Sequence, residues 1–254
     1  MLTAVTRVPS LRLPECELSF LDRQPIDVTR ARLQHRAYQD ALRVAGAQVV
    51  ELPPLDDLPD ATFVEDTEIV LDELAIVAPM GAETRRAESA AMATTLSGYR
   101  PVHRLAPPAT LDGGDVLRLG RSLYVGQTPR TNAAAVGQLR NLLAPHGYSV
   151  IAVPITQCLH LKSACSRLDD ATVLVNPQWI DTTVFGGARI VPVAVTEPWG
   201  ANTVRVGETV LMPASEPQTR ASLERYGYRT GAVDVSELQK AEAGVTCLSL
   251  IFNA

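Results

Sequence analysis

A thiol at Cys247, an imidazole at His160 and a carboxylate at Asp112 could together perform nucleophilic chemistry, although they lie far apart along the 254-residue chain. A thiolate is a potent nucleophile, an imidazolium beside it lowers its pKa and can protonate a leaving group, and an acid orients or charge-balances that ring. Two further acids, Glu65 and Asp66, follow Phe63-Val64 and could hold a cationic electrophile against the sulfur. Each has a plainer reading when taken alone. A Cys in an apolar strand is usually a small hydrophobe, and a His between two leucines is usually a hydrogen-bonded core residue. Asp112-Gly113-Gly114-Asp115 could be only a turn, and Glu65-Asp66 a solvated strand end.

Their common phase in a repeat changes the balance. Gly98, Gly147 and Gly227 each precede a Tyr and a short apolar run. Gly98 and Gly147 lie 49 residues apart, and Gly46 lies 52 before Gly98. Units begin near Pro59, Pro108, Gln157 and Pro198, and a fifth is split, starting near Ala243 and continuing from the N-terminus to about Leu58. Each reads strand, strand, helix, strand. The second predicts extended runs over 63–70 and 75–78, a helix over 83–96 capped by Gly98, and a strand over 102–105. The third predicts strands over 116–119, 123–125 and 149–153 and a helix over 131–143. A helix starting at Ser215, with Pro217 at its first position, stops at Gly227. The unit from Gln157 to about Glu197 has the shortest helix.

One such unit cannot bury its apolar face, so tandem copies must share a core. The C-terminal piece, Val245 to Phe252, is only a strand and the N-terminal piece lacks its first strand. The two ends are therefore expected to pair and close a ring. The expected fold is an α/β five-bladed propeller of ββαβ repeats with pseudo-fivefold symmetry, one domain over residues 1–254. Rotation then brings the residues opening each first strand to the axis: Glu65-Asp66, Asp112 to Asp115, His160, Asn202 and Cys247. Clustered like charges cost free energy unless a ligand offsets them. A guanidinium, planar and cationic, is such a ligand. Attack by Cys247 on its central carbon, with His160 donating to the departing amine and later activating water, would release a ureido product. Arg85 and Arg130 hold equivalent places at helix starts and could bind a carboxylate, with Arg86 and Arg220 as weaker candidates; ordinary surface arginine is the alternative.

Composition bounds the partners. A 46% hydrophobic chain carrying a net charge of −5, its Lys and Arg scattered, suits a small cationic ligand and argues against nucleic acid. No run approaches a membrane span, and no signal-peptide core is visible. Four cysteines give no disulfide framework, so a cytoplasmic setting is expected. A homodimer stays open.

The same residues resemble the dimethylarginine dimethylaminohydrolases of the guanidine-modifying (pentein) superfamily over nearly the whole length. The words that carry the resemblance are Leu58-Pro59-Asp60, Phe63-Val64-Glu65-Asp66, Gly81-Ala82-Glu83-Thr84-Arg85-Arg86, Asp112-Gly113-Gly114-Asp115, Arg130-Thr131-Asn132, Leu159-His160-Leu161-Lys162-Ser163 and Thr246-Cys247-Leu248-Ser249. The resemblance implies a five-bladed propeller that hydrolyses Nω-methylated arginines to citrulline and a methylamine. The reaction would pass through a covalent S-alkylthiouronium, with no metal or organic cofactor. It implies Cys247 as nucleophile, His160 as general acid and base, and Asp112 as their acidic partner. It also implies Glu65, Asp66 and Asp60 about the guanidinium, Arg85 and Arg130 at the carboxylate, Leu18 as a lid residue, and Ala241 acting through its backbone carbonyl. Some bacterial relatives carry Glu where this chain has Asp112. The lid segment from Arg7 to Ile26 matches poorly, and Cys16, Cys158, Trp179 and Trp199 match no functional position, so packing or surface roles are expected for them.

Three rivals stand beside this reading. Arginine deiminases, agmatine deiminases and amidinotransferases share the fold, but the chain has no room for the helical insertion of the first, and agmatine lacks a carboxylate for the two arginines. A non-catalytic binder of cationic amino acids would not need both Cys247 and His160. Cys247, His160 and Asp112 are also plausible zinc ligands in space, which makes zinc at most an inhibitor, since no paired CxxC or HxxxH spacing supports a structural site.

Overall fold

A computed structural model describes residues 1–155 and 157–254. The strands are β1 (Leu2–Arg7), β2 (Gln48–Leu52), β3 (Glu68–Val70), β4 (Ala75–Val77), β5 (Val102–Arg104), β6 (Val116–Leu119), β7 (Ser122–Gln127), β8 (Ser149–Pro154), β9 (Cys165–Asp169), β10 (Thr172–Val175), β11 (Arg189–Pro192), β12 (Val204–Val206), β13 (Thr209–Pro213), β14 (Arg229–Val233) and β15 (Leu250–Asn253). The helices are α1 (Val28–Val44), α2 (Arg86–Leu96), α3 (Ala133–Leu143), α4 (Leu161–Ala164), α5 (Pro217–Arg225) and α6 (Ser236–Gln239).

These strands form five three-stranded sheets, ordered β15-β1-β2, β3-β4-β5, β6-β7-β8, β9-β10-β11 and β12-β13-β14. In each, the first strand runs antiparallel to the middle one and the third runs parallel to it, as a ββαβ unit requires. The ring closes as expected: β15 pairs with β1 from Leu2↔Asn253 to Val5↔Leu250. This is the five-bladed propeller.

Helix-and-strand packing between blades supplies the core. On α3, Ala135, Val136, Leu139 and Leu143 are buried at helical spacing and meet Ile76 and Leu123 from neighbouring sheets. Each large buried side chain of this kind contributes about 1.5–3 kcal/mol of transfer free energy. Asn132 caps α3 by accepting from the Ala135 N–H at 3.0 Å, and Asp27 does the same for α1 through Arg30.

Several boundaries differ from expectation, for local reasons. Residues 64–67 form a tight 3-10 turn ahead of the short β3. Residues 246–248 turn in the same way before β15. Glu83–Arg85 is a 3-10 turn leading into α2, and α5 starts at Pro217 behind Glu216 rather than at Ser215. Gly46, Gly147 and Gly227 take left-handed φ where their helices stop, but Gly98 does not. The fourth blade replaces its helix with one 3-10 turn, Thr182–Phe185. Its Pro177, β-branched 182–184 run and Gly186-Gly187 all disfavour a longer helix.

Candidate active site

Four of the five first strands are entered through one tight helical turn: Val64–Thr67, Gly113–Asp115, Leu161–Ala164 and Thr246–Leu248. Glu65, Asp66 and Cys247 lie within these turns, and Asp112 and His160 immediately precede theirs. Such a turn splays successive side chains around an axis instead of alternating them across a sheet, so adjacent residues can serve the same region. Asp60, Asp66, Arg85, Arg130, His160, Ala241 and Cys247 line one cavity of about 20 Å³, so seven of the ten expected site residues meet there. Asp112 lies behind His160, Leu18 packs against the apolar cluster around α1, and Glu65 lies behind the cavity wall.

On the acidic side nearly every polar atom is satisfied. His160 Nε2 lies 3.1 Å from Asp112 Oδ2, and Nδ1 lies 3.6 Å from Asp66 Oδ1. Asp112 Oδ1 accepts from the Gly81 N–H at 2.9 Å, and Asp66 Oδ1 accepts from the Gly114 N–H at 3.1 Å. Asp115 accepts from the Leu161 N–H and from the hydroxyls of Thr128 and Thr131, which ties the third blade's turn to the His160 turn. Glycine is required at the centre: a Cβ on Gly114 would sit 2.5 Å from Asp66 Oδ1 and 2.6 Å from His160 Nδ1, and one on Gly113 would clash with the Glu65 carbonyl. The Asp112 to Asp115 motif is thus a turn and a site at once.

Burial pulls the His160 pKa down, but Asp66, Asp112 and Asp115 outweigh it and raise it to about 9, so the ring is an imidazolium at neutral pH. Burial would also raise Asp66, yet His160 and Arg85 hold it below the usual carboxylate range.

The sulfur side differs. Cys247 Sγ accepts from the Gly244 N–H at 3.4 Å and lies 4.0 Å from the Thr246 hydroxyl; the His160 ring is not among its hydrogen-bond partners. Burial, reinforced by Glu65 and Asp66, pushes the thiol up to about 12. An imidazolium that depresses the resting thiol is therefore not what this geometry gives. Glu65 donates nothing to the cavity directly: its carboxylate accepts from Lys162 Nζ at 2.7 Å and from the Thr246 hydroxyl at 2.7 Å. Burial raises the Glu65 pKa and Lys162 opposes that rise. Lys162 was legible as part of the His160 motif, but its pairing across the ring was not.

The two arginines are unequal. Arg85 is buried and spends its N–H groups on Asp66 (2.8 Å), Glu88 (3.1 and 2.9 Å) and the Phe63 carbonyl (3.4 Å). Arg130 donates to Ser19 Oγ at 3.2 Å, while its buried Nη1 has no partner among the described residues. Arg86 and Arg220 are surface residues paired with Glu83 and Glu224. Trp179 and Trp199 form an edge-to-face pair, their centroids 4.6 Å apart.

A feature invisible to sequence reading closes the lid. Glu242, whose φ is +59°, presents its carboxylate to the N–H groups of Ser19, Phe20 and Leu21. The cavity beneath, about 20 Å³, is smaller than an amino acid as it stands. Among the described residues, Asp66, Asp112 and His160 could meet a metal ion, their ligand atoms within 4.8 Å of one another; Cys247 is not in that set. His160 is protonated there and Asp66 already accepts from Arg85, so a metal ion would have to displace both the ring proton and that pairing.

Known proteins place this geometry. The arginine deiminase family model matches residues 54–197, more than half of the chain. A dimethylarginine dimethylaminohydrolase of Streptomyces coelicolor is 41% identical over 250 residues, covering 97% of this chain and 95% of that one. The solved Pseudomonas aeruginosa dimethylarginine dimethylaminohydrolase, a Cys-to-Ser variant complexed with citrulline, superposes with a TM-score of 0.94 at 33% identity over 98% of both chains. Another solved dimethylarginine dimethylaminohydrolase, a His-to-Gly variant as an adduct with S-methyl-L-thiocitrulline, gives a TM-score of 0.93 at 34% identity over 99% of this chain and 100% of that one. With its ring of five blades and its shared thiol-and-imidazole cavity, the chain belongs to the dimethylarginine dimethylaminohydrolase family of the guanidine-modifying superfamily.

Proposed function

We propose that the chain hydrolyses Nω-methylated L-arginine, asymmetric dimethylarginine and monomethylarginine included, to L-citrulline and a methylamine, with Cys247 as nucleophile and His160 as general acid and then base. The observation that carries this reading is one cavity lined by Cys247, His160 and Asp66 together, with the ring charged and the thiol neutral.

The substrate's own cation starts the chemistry. A guanidinium seated against Asp66 brings positive charge beside a thiol whose pKa is held up by burial and two carboxylates, so the thiol gives up its proton to solvent and leaves a thiolate where it can attack. Sulfur bonds to the central carbon, and the C–N bond to the methylated nitrogen breaks as the His160 imidazolium donates its proton to the departing amine. The now neutral ring takes a proton from water, whose oxygen attacks the S-alkylthiouronium. The C–S bond then breaks, the thiol regains a proton, and citrulline leaves. Asp112 holds the ring from Nε2, and Asp66 faces Nδ1.

Glu65 acts from behind the wall by fixing Thr246 and Lys162. Arg130, with a free buried donor, suits the substrate carboxylate, and Arg85 supports it by holding Asp66 in place. Asp60 and Ala241 line the same cavity, where the Asp60 carboxylate and the Ala241 carbonyl suit the substrate's positive groups. Four free cysteines suit a reducing cytoplasm, and no described helix is long and apolar enough to cross a membrane.

The test is a panel of asymmetric dimethylarginine, monomethylarginine, arginine and agmatine with citrulline as readout. Turnover of the methylated substrates is expected. Product from arginine alone, released with ammonia, would overturn the substrate assignment.

A further inference from the structure

A second cavity, of about 260 Å³, adjoins the first. The two share Leu159, Glu242 and Ala243 as a common wall. Its outer rim is apolar: Phe20 and Leu21 of the lid and Trp199 meet there and are 47%, 39% and 40% exposed. Its floor is a carboxylate. Glu216 is only 6% exposed and lines the cavity, yet no cation reaches it. One of its oxygens accepts from the Ser215 hydroxyl at 3.0 Å, and that hydroxyl accepts from Gln239 Nε2 at 3.2 Å. The other oxygen has no hydrogen-bond partner among the described residues. The start of α5 does not compensate it, because the N–H groups of Gln218 and Thr219 are taken by Glu197 at 2.8 and 2.7 Å.

A carboxylate oxygen left open to an apolar-rimmed hollow, with no cation paired to it, is a ready partner for a cationic ligand. The complement has two parts: a positive nitrogen with N–H donors for Glu216, and small apolar groups for Phe20, Leu21 and the face of Trp199. We propose that this cavity binds small alkylated ammonium ions and takes up the methylated amine released next door, as its ammonium, before it reaches solvent. Binding by the cavity stands on its own geometry; the identification of the occupant as product rests on the reading under Proposed function. Burial raises the Glu216 pKa, and a bound cation would oppose that rise.

Dimethylammonium chloride titrated into the wild-type enzyme, followed at the Trp199 indole N–H by NMR, tests this. A saturable shift is expected. Isopropanol, its neutral isostere, and ammonium, which lacks the methyl groups, should each bind at least tenfold more weakly, a comparison that needs no variant. Glu216→Gln should weaken dimethylammonium by tenfold or more while inhibition by citrulline stays within twofold. An unmoved Trp199 signal, equal binding of isopropanol, or unchanged affinity in E216Q would overturn the site. If dimethylammonium binds as expected but methylated arginines are not turned over, the cation site stands and its link to product falls with the functional reading. If turnover proceeds and Trp199 does not respond, the inference alone fails.

Discussion

The two sides of the active cavity are built to opposite standards. Around His160, Asp66, Asp112 and Asp115 each accept at least one hydrogen bond from a neighbouring blade or turn, and the ring is held charged. Around Cys247, the sulfur has one weak backbone donor and a distant hydroxyl, and it is held neutral. The acid is finished before substrate arrives and the nucleophile is not. The difference teaches that the enzyme spends preorganisation on the proton donor and leaves thiolate formation to the cation it binds. A reactive sulfur is thereby kept from oxidation and stray electrophiles.

Removing the unfinished side should have the largest effect. Cys247→Ser is expected to lower turnover by about 10⁴-fold or more, with citrulline binding retained because the cation grip is separate from the nucleophile. Wild-type-like rates would break the comparison outright.

Removing the finished side should cost less. His160→Gly is expected to slow citrulline formation by about a hundredfold or more, while a haloamidine still alkylates Cys247; a loss under threefold would count against the role. The wild-type rate should also fall as pH rises through about 9. The sign follows from a folded-state pKa above the unfolded value: the stabilisation that Asp66 and Asp112 gain from the charged ring is complete below the unfolded His value and lost as pH climbs through about 9.

Glu65→Gln sharpens the contrast from the sulfur side. One of the two charges raising the thiol disappears, so alkylation by neutral iodoacetamide at pH 8 should quicken by about tenfold, equivalent to roughly one unit of thiol pKa. An unchanged rate would show that burial alone sets the thiol.

The effect furthest from the chemistry lies two residues from Asp66. Glu68 is buried, neither carboxylate oxygen has a partner among the described residues, and burial raises its pKa to about 8. Its folded pKa lies above its unfolded value, so the cost of keeping it grows as pH rises from about 4.3 to about 8. Glu68→Gln should be nearly neutral at pH 4.5 and stabilising by about 2 kcal/mol at pH 8.5, read by urea unfolding. A pH-independent difference would refute this.

Much of this was legible because a rotational repeat turns sequence phase into spatial proximity. Cys247, His160, Asp66 and Asp112 share a phase, and the ring delivers them to one place. Stretch 63–70 reads as an extended apolar run, yet Glu65 and Asp66 point into one region, which a 3-10 turn permits and a strand does not. Pairings across blades were not legible. Lys162 meets Glu65 from 97 residues away, and Glu242 clasps the lid from more than 220. Glu88 could have been suspected, since it stands one helical turn from Arg85, and that pair is why Arg85 supports the site from within.

The meeting of β1 and β15 also sets a timetable for the enzyme. Cys247 lies in the turn just ahead of the closing strand, on residues made after the other four blades. Until those residues emerge, a nascent chain has four blades, an incomplete fifth and no nucleophile. Reactivity and ring integrity therefore arrive in a single event, and a copy truncated near its end would be chemically silent rather than dangerously half-active.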